Sequence, residues 1–270
     1  MPCSLVVMTD GWTRKVAPIS MSASRVSRKI LGRASGDIAT IRAQAPDDCQ
    51  LRLAGASGAG ILQRVIEASL PSLRGVRVLV PGATGFLGRW VVRALAAQQA
   101  EVAVTVRDRS RLASISGLEI AADRAWMVDC AVAGQLATAV ESWSPAVVIH
   151  LAGYGVAKDE RDPGVMARIN TEVLGELLDA LARCPSPGWS GQRLVHAGSA
   201  FEYGALQEEL DEGAPAAPTT DYGRSKLLAT QLLQREAAAR GVAAVVARLF
   251  TVFGPGERQG RLFPTLLAAI

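Results

Sequence analysis

Tyr222 and Lys226 stand four residues apart in the run Asp221-Tyr222-Gly223-Arg224-Ser225-Lys226, a separation that stacks a phenol and an ammonium on one face of a helix. Such a pair can move a proton. A free tyrosine titrates near pH 10 and is a poor base at neutrality, so a proton-transfer role asks for a drop of roughly 3 pH units, about 4 kcal/mol, which a fixed positive charge nearby helps to supply. Spacing alone does not decide the matter, because Tyr and Lys four apart most often mark a solvated helix face.

A second feature gives that pair something to act on. Pro81-Gly82-Ala83-Thr84-Gly85-Phe86-Leu87-Gly88 follows the apolar run Val76 to Val80 and opens an apolar-periodic segment, Phe86 to Ala97, which reads as strand, glycine turn and helix. Glycines three apart let the backbone take positive φ, approach a pyrophosphate and aim a helix N-terminus at it, where amides and macrodipole favour the anion. The spacing departs from the strict dinucleotide fingerprint, but strand and helix flank it on the correct sides.

Both features need a scaffold that brings strand ends and helix starts to one edge. From Val76 the pattern is βα repeated, with candidate strands Val76 to Val80, Val102 to Val106, Ala125 to Val128, Ala146 to Leu151, Arg193 to Ala197 and Val242 to Leu249. Short apolar strands separated by helices predict an α/β fold, a Rossmann-type doubly wound parallel sheet in the order 3-2-1-4-5-6. His150 and His196 fall inside two of these strands, where core or strand-end roles suit them better than metal ligation.

The 270 residues are 49% hydrophobic and 20% charged with a formal charge of +4, a balance that suits a globular protein with one large core. No apolar run nears the roughly 18 residues of a membrane span. Cys3, Cys49, Cys130 and Cys184 are scattered, without metal-type spacing or dense pairing, so no metal centre and a reduced, cytoplasmic setting are expected. Residues 1–74 hold ten Lys/Arg against five Asp/Glu and carry the whole basic excess. They are expected to be a poorly ordered extension, lacking a secretory pattern and the aromatic-basic motif of nucleic-acid binding.

Seven landmarks occur between about Val76 and Leu267: GATGFLG, VVIHLAG ending at Gly153, Asp162-Pro163, Asn170, VHAGSAFEYG ending at Gly204, YGRSK, and ARLFTVFGPGE ending at Glu257. In order and approximate spacing the set resembles the extended short-chain dehydrogenase/reductase family, the NAD(P)-dependent epimerase/dehydratase group acting mostly on nucleotide sugars. The resemblance implies that Tyr222 is the general acid/base, Lys226 its electrostatic partner and a ribose-hydroxyl ligand, and Ser199 a hydroxyl donor to the sugar oxygen. It further implies cofactor contacts from Gly82, Gly85, Phe86, Leu87, Gly88, Arg107, Asp129, Cys130, Ala152, Gly153 and Leu249, with Ala200, Phe201 and Thr251 beside Ser199 on the substrate side.

By the same resemblance, the acid that would bond the adenosine ribose of NAD falls on Val106, and Arg107 resembles the arginine that meets the 2′-phosphate of NADP. NADP is therefore preferred, with NAD admitted. Asp129 resembles an adenine-contacting acid, and a helix N-cap for the segment from Ala131 is its other reading. Where 4,6-dehydratases carry Asp-Glu after the active-site hydroxyl this chain has Ala200-Phe201, and Glu202, if extended, projects to the opposite face. The family's asparagine after the last strand is Thr251, and a small glycine three beyond Asn170 is Val173.

The expected function is an NAD(P)-dependent reductase or epimerase acting on a nucleotide sugar, of the 4-keto-6-deoxysugar reductase or 4-epimerase type. Its alternatives are a non-catalytic NAD(P) sensor and an inactive fragment of such an enzyme; Tyr222 with Lys226 speaks against the sensor. Relatives continue past Gly254-Pro255-Gly256 into a smaller lobe, so the expected division is an extension at 1–74, a Rossmann domain at 75–257, and at 258–270 the start of a substrate lobe largely missing. Dinucleotide binding with little sugar turnover, and open apolar surface near Leu262, Phe263 and Leu266, would follow. Helices at 163–182 and 221–240 match those that form a homodimer interface in many relatives.

Overall fold

A computed structural model describes residues 72–268 apart from 116–119, 158, 187, 206–209 and 211. The expectation for the basic extension lies, through residue 71, outside the described residues. Six strands, β1 (Arg77–Pro81), β2 (Glu101–Val106), β3 (Ala125–Met127), β4 (Val147–His150), β5 (Leu194–Ser199) and β6 (Ala244–Leu249), pair in parallel in the order β3-β2-β1-β4-β5-β6. The sheet is the doubly wound one that the apolar runs predict.

Its central strands are mostly apolar because both faces are covered. Val78, Leu79 and Val80 have no exposure, and successive side chains of a strand point to opposite faces. Leu79 joins Val148, Leu174, Leu177, Leu181, Leu194 and Leu233 on one side, while Val78 and Val80 join Val92, Leu95 and Val104 on the other. Each such side chain contributes about 1.5–3 kcal/mol when fully buried. Helix α1 (Phe86–Ala97) supplies the second cluster; α2 (Gln135–Trp143), α4 (Val173–Arg183) and α5 (Asp221–Glu236) supply the first.

The segment expected as one helix over 163–182 is instead two helices joined by a wider turn. Helix α3 (Pro163–Ala167) starts with Pro163 behind Asp162, whose Oδ1 accepts from the Val165 amide at 3.0 Å. Residues Arg168–Glu172 then form a single π-helical turn before α4 begins. That turn buries both Ile169 and Asn170. Helix α5, expected to reach 240, ends at Glu236 and gives way to a 3-10 turn, Ala238–Arg240, closed by Gly241 at φ 68°. A last helix, α6 (Leu262–Ala268), has no buried residue. Leu262 and Leu266 are exposed, while Phe263 stacks on Phe253 at 4.0 Å between ring centroids.

His150 and His196 face each other across the β4–β5 pair, Nδ1 to Nδ1 at 3.1 Å, and neither is exposed. One ring donates and the other accepts, so the pair is built for two neutral imidazoles. Burial, with Lys226 nearby, drives the His150 pKa down to about 3 and that of His196 well below its ordinary value. An unfolded chain takes up these protons near pH 6.5, the folded one does not, so stability present above that value is lost as the pH falls toward 3. The loss from His150 alone is up to roughly 5 kcal/mol. Thermal unfolding followed between about pH 7 and pH 5 tests this: a His150→Asn/His196→Asn double variant should show a flatter dependence than the parent. Parallel slopes would remove the pair from the acid response.

Candidate active site

The end of β5 and the start of α5 are assembled by short-range bonds. Ser199 closes β5 and caps the 3-10 turn Ala200–Glu202: its Oγ accepts from the Phe201 amide at 3.2 Å, and Glu202 Oε1 accepts from the Ser199 amide at 2.8 Å. This is a reciprocal capping box. The condition under which Glu202 would project to the opposite face, an extended segment, is not met: the chain turns after Ser199 and folds the carboxylate back onto the Ser199 amide. Glu202 has no exposed surface, and its Oε2 accepts from Thr230 Oγ1 and from Arg248 Nε, each at 2.8 Å. Arg248 also donates to the Tyr203 hydroxyl at 2.9 Å and lies over that ring.

Thr220 caps α5, its hydroxyl accepting from the Gly223 amide at 3.0 Å. The helix then presents Tyr222, Lys226 and Thr230 as one stripe at i, i+4 and i+8. Tyr222 is hydrogen-bonded to the Ser199 side chain. One turn on, Lys226 Nζ donates to the Ala197 carbonyl at 3.0 Å; a further turn on, Thr230 holds Glu202. One helix face thus grips the last three residues of β5 and the turn behind them. Ser199, Tyr222 and Lys226, picked out by sequence, are together at the carboxyl edge of the sheet.

Their protonation differs from the expectation. Burial pushes the Tyr222 phenol above its ordinary value, Glu202 adds to this, and the Ser199 bond opposes it. Burial also holds Lys226 down to about 8, against the pull of Glu202. The ammonium lies 6.0 Å from the Tyr222 ring centroid and is committed to Ala197, so here desolvation outweighs the lysine's field and the phenol keeps its proton.

The loop after β4 roofs the tyrosine. Asn170, presented by the π-helical turn, accepts from the Tyr154 amide at 2.9 Å and donates to the Tyr154 carbonyl at 2.8 Å and to Ser225 Oγ at 2.9 Å. Glu160 Oε2 accepts from the amides of Gly155, Val156 and Ala157 at 2.8–3.1 Å. A Cβ on Gly155, whose φ is +99°, would lie 3.2 Å from Tyr222 Cδ2. Phe201, 57% exposed, meets the same ring edge-on at 6.0 Å.

The glycine turn lies at the switch point, where the strand order reverses beside β1. Gly82, at φ +86°, sits against the end of β4, so that a Cβ there would come 2.6 Å from the Ala152 amide nitrogen. A Cβ on Gly88 would come 2.1 Å from the Gly82 carbonyl oxygen. Gly85 is the exposed N-cap of α1, with no side-chain cap bond, and Phe86 and Leu87 begin the helix. A Cβ on Gly153 would stand 3.5 Å from Lys226 Nζ. Close backbone approach, an open helix N-terminus and a lysine beside a side-chain-free position make a cradle that fits a dinucleotide. Along the sheet, β2 and β5 are three strand spacings apart, about 14 Å, so the turn stands between the Arg107 end and the Tyr222 end.

Arg107 is exposed directly after β2. Asp129 follows β3, but α2 starts only at Gln135 with Gly134 as its N-cap. Asp129 Oδ1 instead accepts from the Ala131 amide at 2.9 Å in a local turn, which rules out the helix-cap reading. Cys130 is buried, its thiol pushed up to about 11 by desolvation. Leu249 ends β6, and Thr251, exposed just beyond it, is nowhere among the bonded groups of the Tyr222 cluster. Ala200 is half-buried in the turn after Ser199. Among the described residues no group of three or more His, Cys, Asp or Glu could hold a metal ion, and no helix is long and apolar enough to cross a membrane.

Sequence reasoning passed over Glu202 and Thr230 as parts of the site. Both were signalled: Ser-Ala-Phe-Glu is a capping-box spacing, and Thr230 continues the Tyr222–Lys226 stripe.

The sequence profile of the NAD dependent epimerase/dehydratase family matches residues 78–270. The chain is similar to a dTDP-6-deoxy-L-talose 4-dehydrogenase (NAD(P)(+)) of Kitasatospora kifunensis, 31% identical over 204 residues, 74% of this chain and 60% of that protein. It is 32% identical over 195 residues to a UDP-glucose 4-epimerase of Azospirillum brasilense, covering 70% of this chain and 53% of the relative. Among solved structures it resembles the UDP-glucose 4-epimerase of Brucella ovis in complex with NAD, with a TM-score of 0.54, 27% identity, and 66% and 52% of the two chains covered. The chain thus spans 53–60% of the length of these two curated relatives.

Proposed function

Because this chain belongs to the NAD dependent epimerase/dehydratase family, we propose that it binds a nicotinamide dinucleotide across the β1–α1 turn and serves a reaction at a carbinol or keto carbon of a nucleotide sugar. The type is a 4-keto-6-deoxysugar reductase or a 4-epimerase. The observation that carries this is the meeting of Ser199, Tyr222 and Lys226 at one sheet edge, beside the cradle formed by Gly82, Gly88 and Gly153.

When bound, the nicotinamide supplies or accepts the hydride. Tyr222 gives a proton to, or takes it from, the sugar oxygen, and the Ser199 hydroxyl holds that oxygen by a second hydrogen bond. Lys226, released from Ala197, bonds ribose hydroxyls and supplies positive charge next to the phenol. Burial keeps the phenol protonated at neutral pH, the form that delivers a proton to a newly formed alkoxide. The absence of a carboxylate pair after Ser199 weighs against elimination of water. The test is consumption of NADPH with dTDP- and UDP-linked 4-keto-6-deoxysugars, followed by nicotinamide absorbance. Binding of neither NADPH nor NADH by the folded chain would end the proposal.

For the cofactor we take NADP over NAD, on the charge and the exposed position of Arg107. NADPH should bind more tightly than NADH, and Arg107→Ala should narrow the gap by about 1–3 kcal/mol, the scale of a lost charged hydrogen bond. Titration calorimetry measures both affinities. Equal values in the parent protein would return the preference to NAD.

A further inference from the structure

Glu202 is a carboxylate with no exposed surface, three residues past the active-site serine. Burying a charge is costly unless every lone pair is used, and here each oxygen is. Oε1 accepts from the Ser199 amide, and Oε2 from Thr230 Oγ1 and Arg248 Nε, all at 2.8 Å. These bonds run to the reacting groups: Ser199 carries the hydroxyl bonded to Tyr222, and Thr230 follows Lys226 by one helical turn. The carboxylate is thus the only described link that ties the backbone at Ser199 to the Tyr222–Lys226 stripe through a side chain of that stripe below Lys226.

We propose that Glu202 is a positioning residue for the reaction: by holding the Ser199 amide on one oxygen and α5, through Thr230, on the other, it sets the separation of the Ser199 hydroxyl from the Tyr222 phenol. It rests on Tyr222 being the proton donor. The same fixed charge opposes ionisation of the phenol and favours the ammonium of Lys226. Tyr222 also faces Glu160, which acts with Glu202, and Arg261, which acts against it, besides the Lys226 ammonium. Lys226 faces Glu202 and, across β4 and β5, His150 and His196. Glu202 lies deepest of these charges and is screened least.

The test uses Glu202→Gln, which can still accept from Ser199 but presents an amide nitrogen to the donors on Thr230 and Arg248. The chain has three tyrosines, so ultraviolet titration of tyrosinate, taken as the difference between Glu202→Gln and Glu202→Gln/Tyr222→Phe, isolates Tyr222 without any substrate. Its ionisation should move to lower pH by about one unit relative to the parent. With a dTDP-4-keto-6-deoxysugar and NADPH, kcat should fall about 10- to 100-fold with KM within about threefold, and the alkaline limb of the kcat profile should move with the phenol. If Glu202→Gln does not fold, Thr230→Val carries the test: the tie to α5 is cut with the charge in place, and kcat should fall about three- to tenfold at unchanged KM. A folded Glu202→Gln with parental tyrosine titration and parental kcat overturns the proposal, as does a Thr230→Val enzyme of parental kcat. An unchanged rate in Tyr222→Phe would instead overturn the assignment of the proton donor beneath it.

Discussion

In a form that turns over a 4-keto-sugar nucleotide, replacing Tyr222 by Phe should lower hydride transfer to that sugar by about 10²- to 10⁴-fold, the usual weight of a positioned acid or base. The substitution removes one oxygen and little else. Its ring contacts with Phe201 and beneath Gly155 are kept, and the lost bond is the one to Ser199, so folding and dinucleotide affinity should change little. Single-turnover kinetics read by nicotinamide absorbance separate the chemical step from binding. A phenylalanine variant as fast as the parent would take the phenol out of the mechanism. Lys226→Ala differs in kind, because it should weaken dinucleotide binding as well as the rate.

Gly88→Ala should be the most damaging single-methyl change in the dinucleotide cradle. The added carbon would stand 2.1 Å from the Gly82 carbonyl oxygen and 2.6 Å from Ala83 Cα. These are backbone atoms, so no rotamer can relieve the clash and α1 must move off the turn. A loss of about 3 kcal/mol in stability is expected, at the upper end for overpacking. Dinucleotide affinity should fall at least about tenfold, because the displaced helix no longer aims its N-terminus at the pyrophosphate. Gly175→Ala is the matched control. It lies inside α4 with nothing within 4 Å of the added carbon, and should stabilise the protein by about 0.5–1 kcal/mol through helix propensity. Chemical denaturation and NADPH titration of both variants make the comparison; a Gly88→Ala protein as stable as the parent would show that the turn and α1 are not locked together.

The strand order and the glycine turn were legible because each rests on short-range pattern: apolar runs of strand length, and glycines flanked by a strand and a helix. Tyr222 and Lys226 were legible for the same reason, as helix spacing is local. What escaped depended on the conformation of a few residues. The direction of Glu202 hinged on whether Ala200 to Glu202 is extended; the capping box folds it inward, and a 3-10 turn of three residues has too little length to show periodicity. The charge state of Tyr222 escaped because it follows from burial, which spacing along one helix does not report. Asp129 fitted two roles by residue type alone; only the start of α2 at Gln135 excluded the helix cap. The bonds of Asn170 were out of reach because they depend on a π-helical turn that the apolar periodicity of 163–182 conceals.

That turn makes one stretch of chain serve two masters. An extra residue in one winding rotates everything beyond it by about 100° relative to a regular helix. Within the turn, Asn170 is aimed at Tyr154 and Ser225; after it, Leu174, Leu177, Leu178 and Leu181 pack in the core. Deleting a single residue between 168 and 172 would restore ideal winding and better backbone geometry. It would also turn either the asparagine or the leucines out of register, so the segment cannot be regularised without giving up the roof over Tyr222 or the packing beneath it. A change of length in this segment should therefore be tolerated least within the π-helical turn itself.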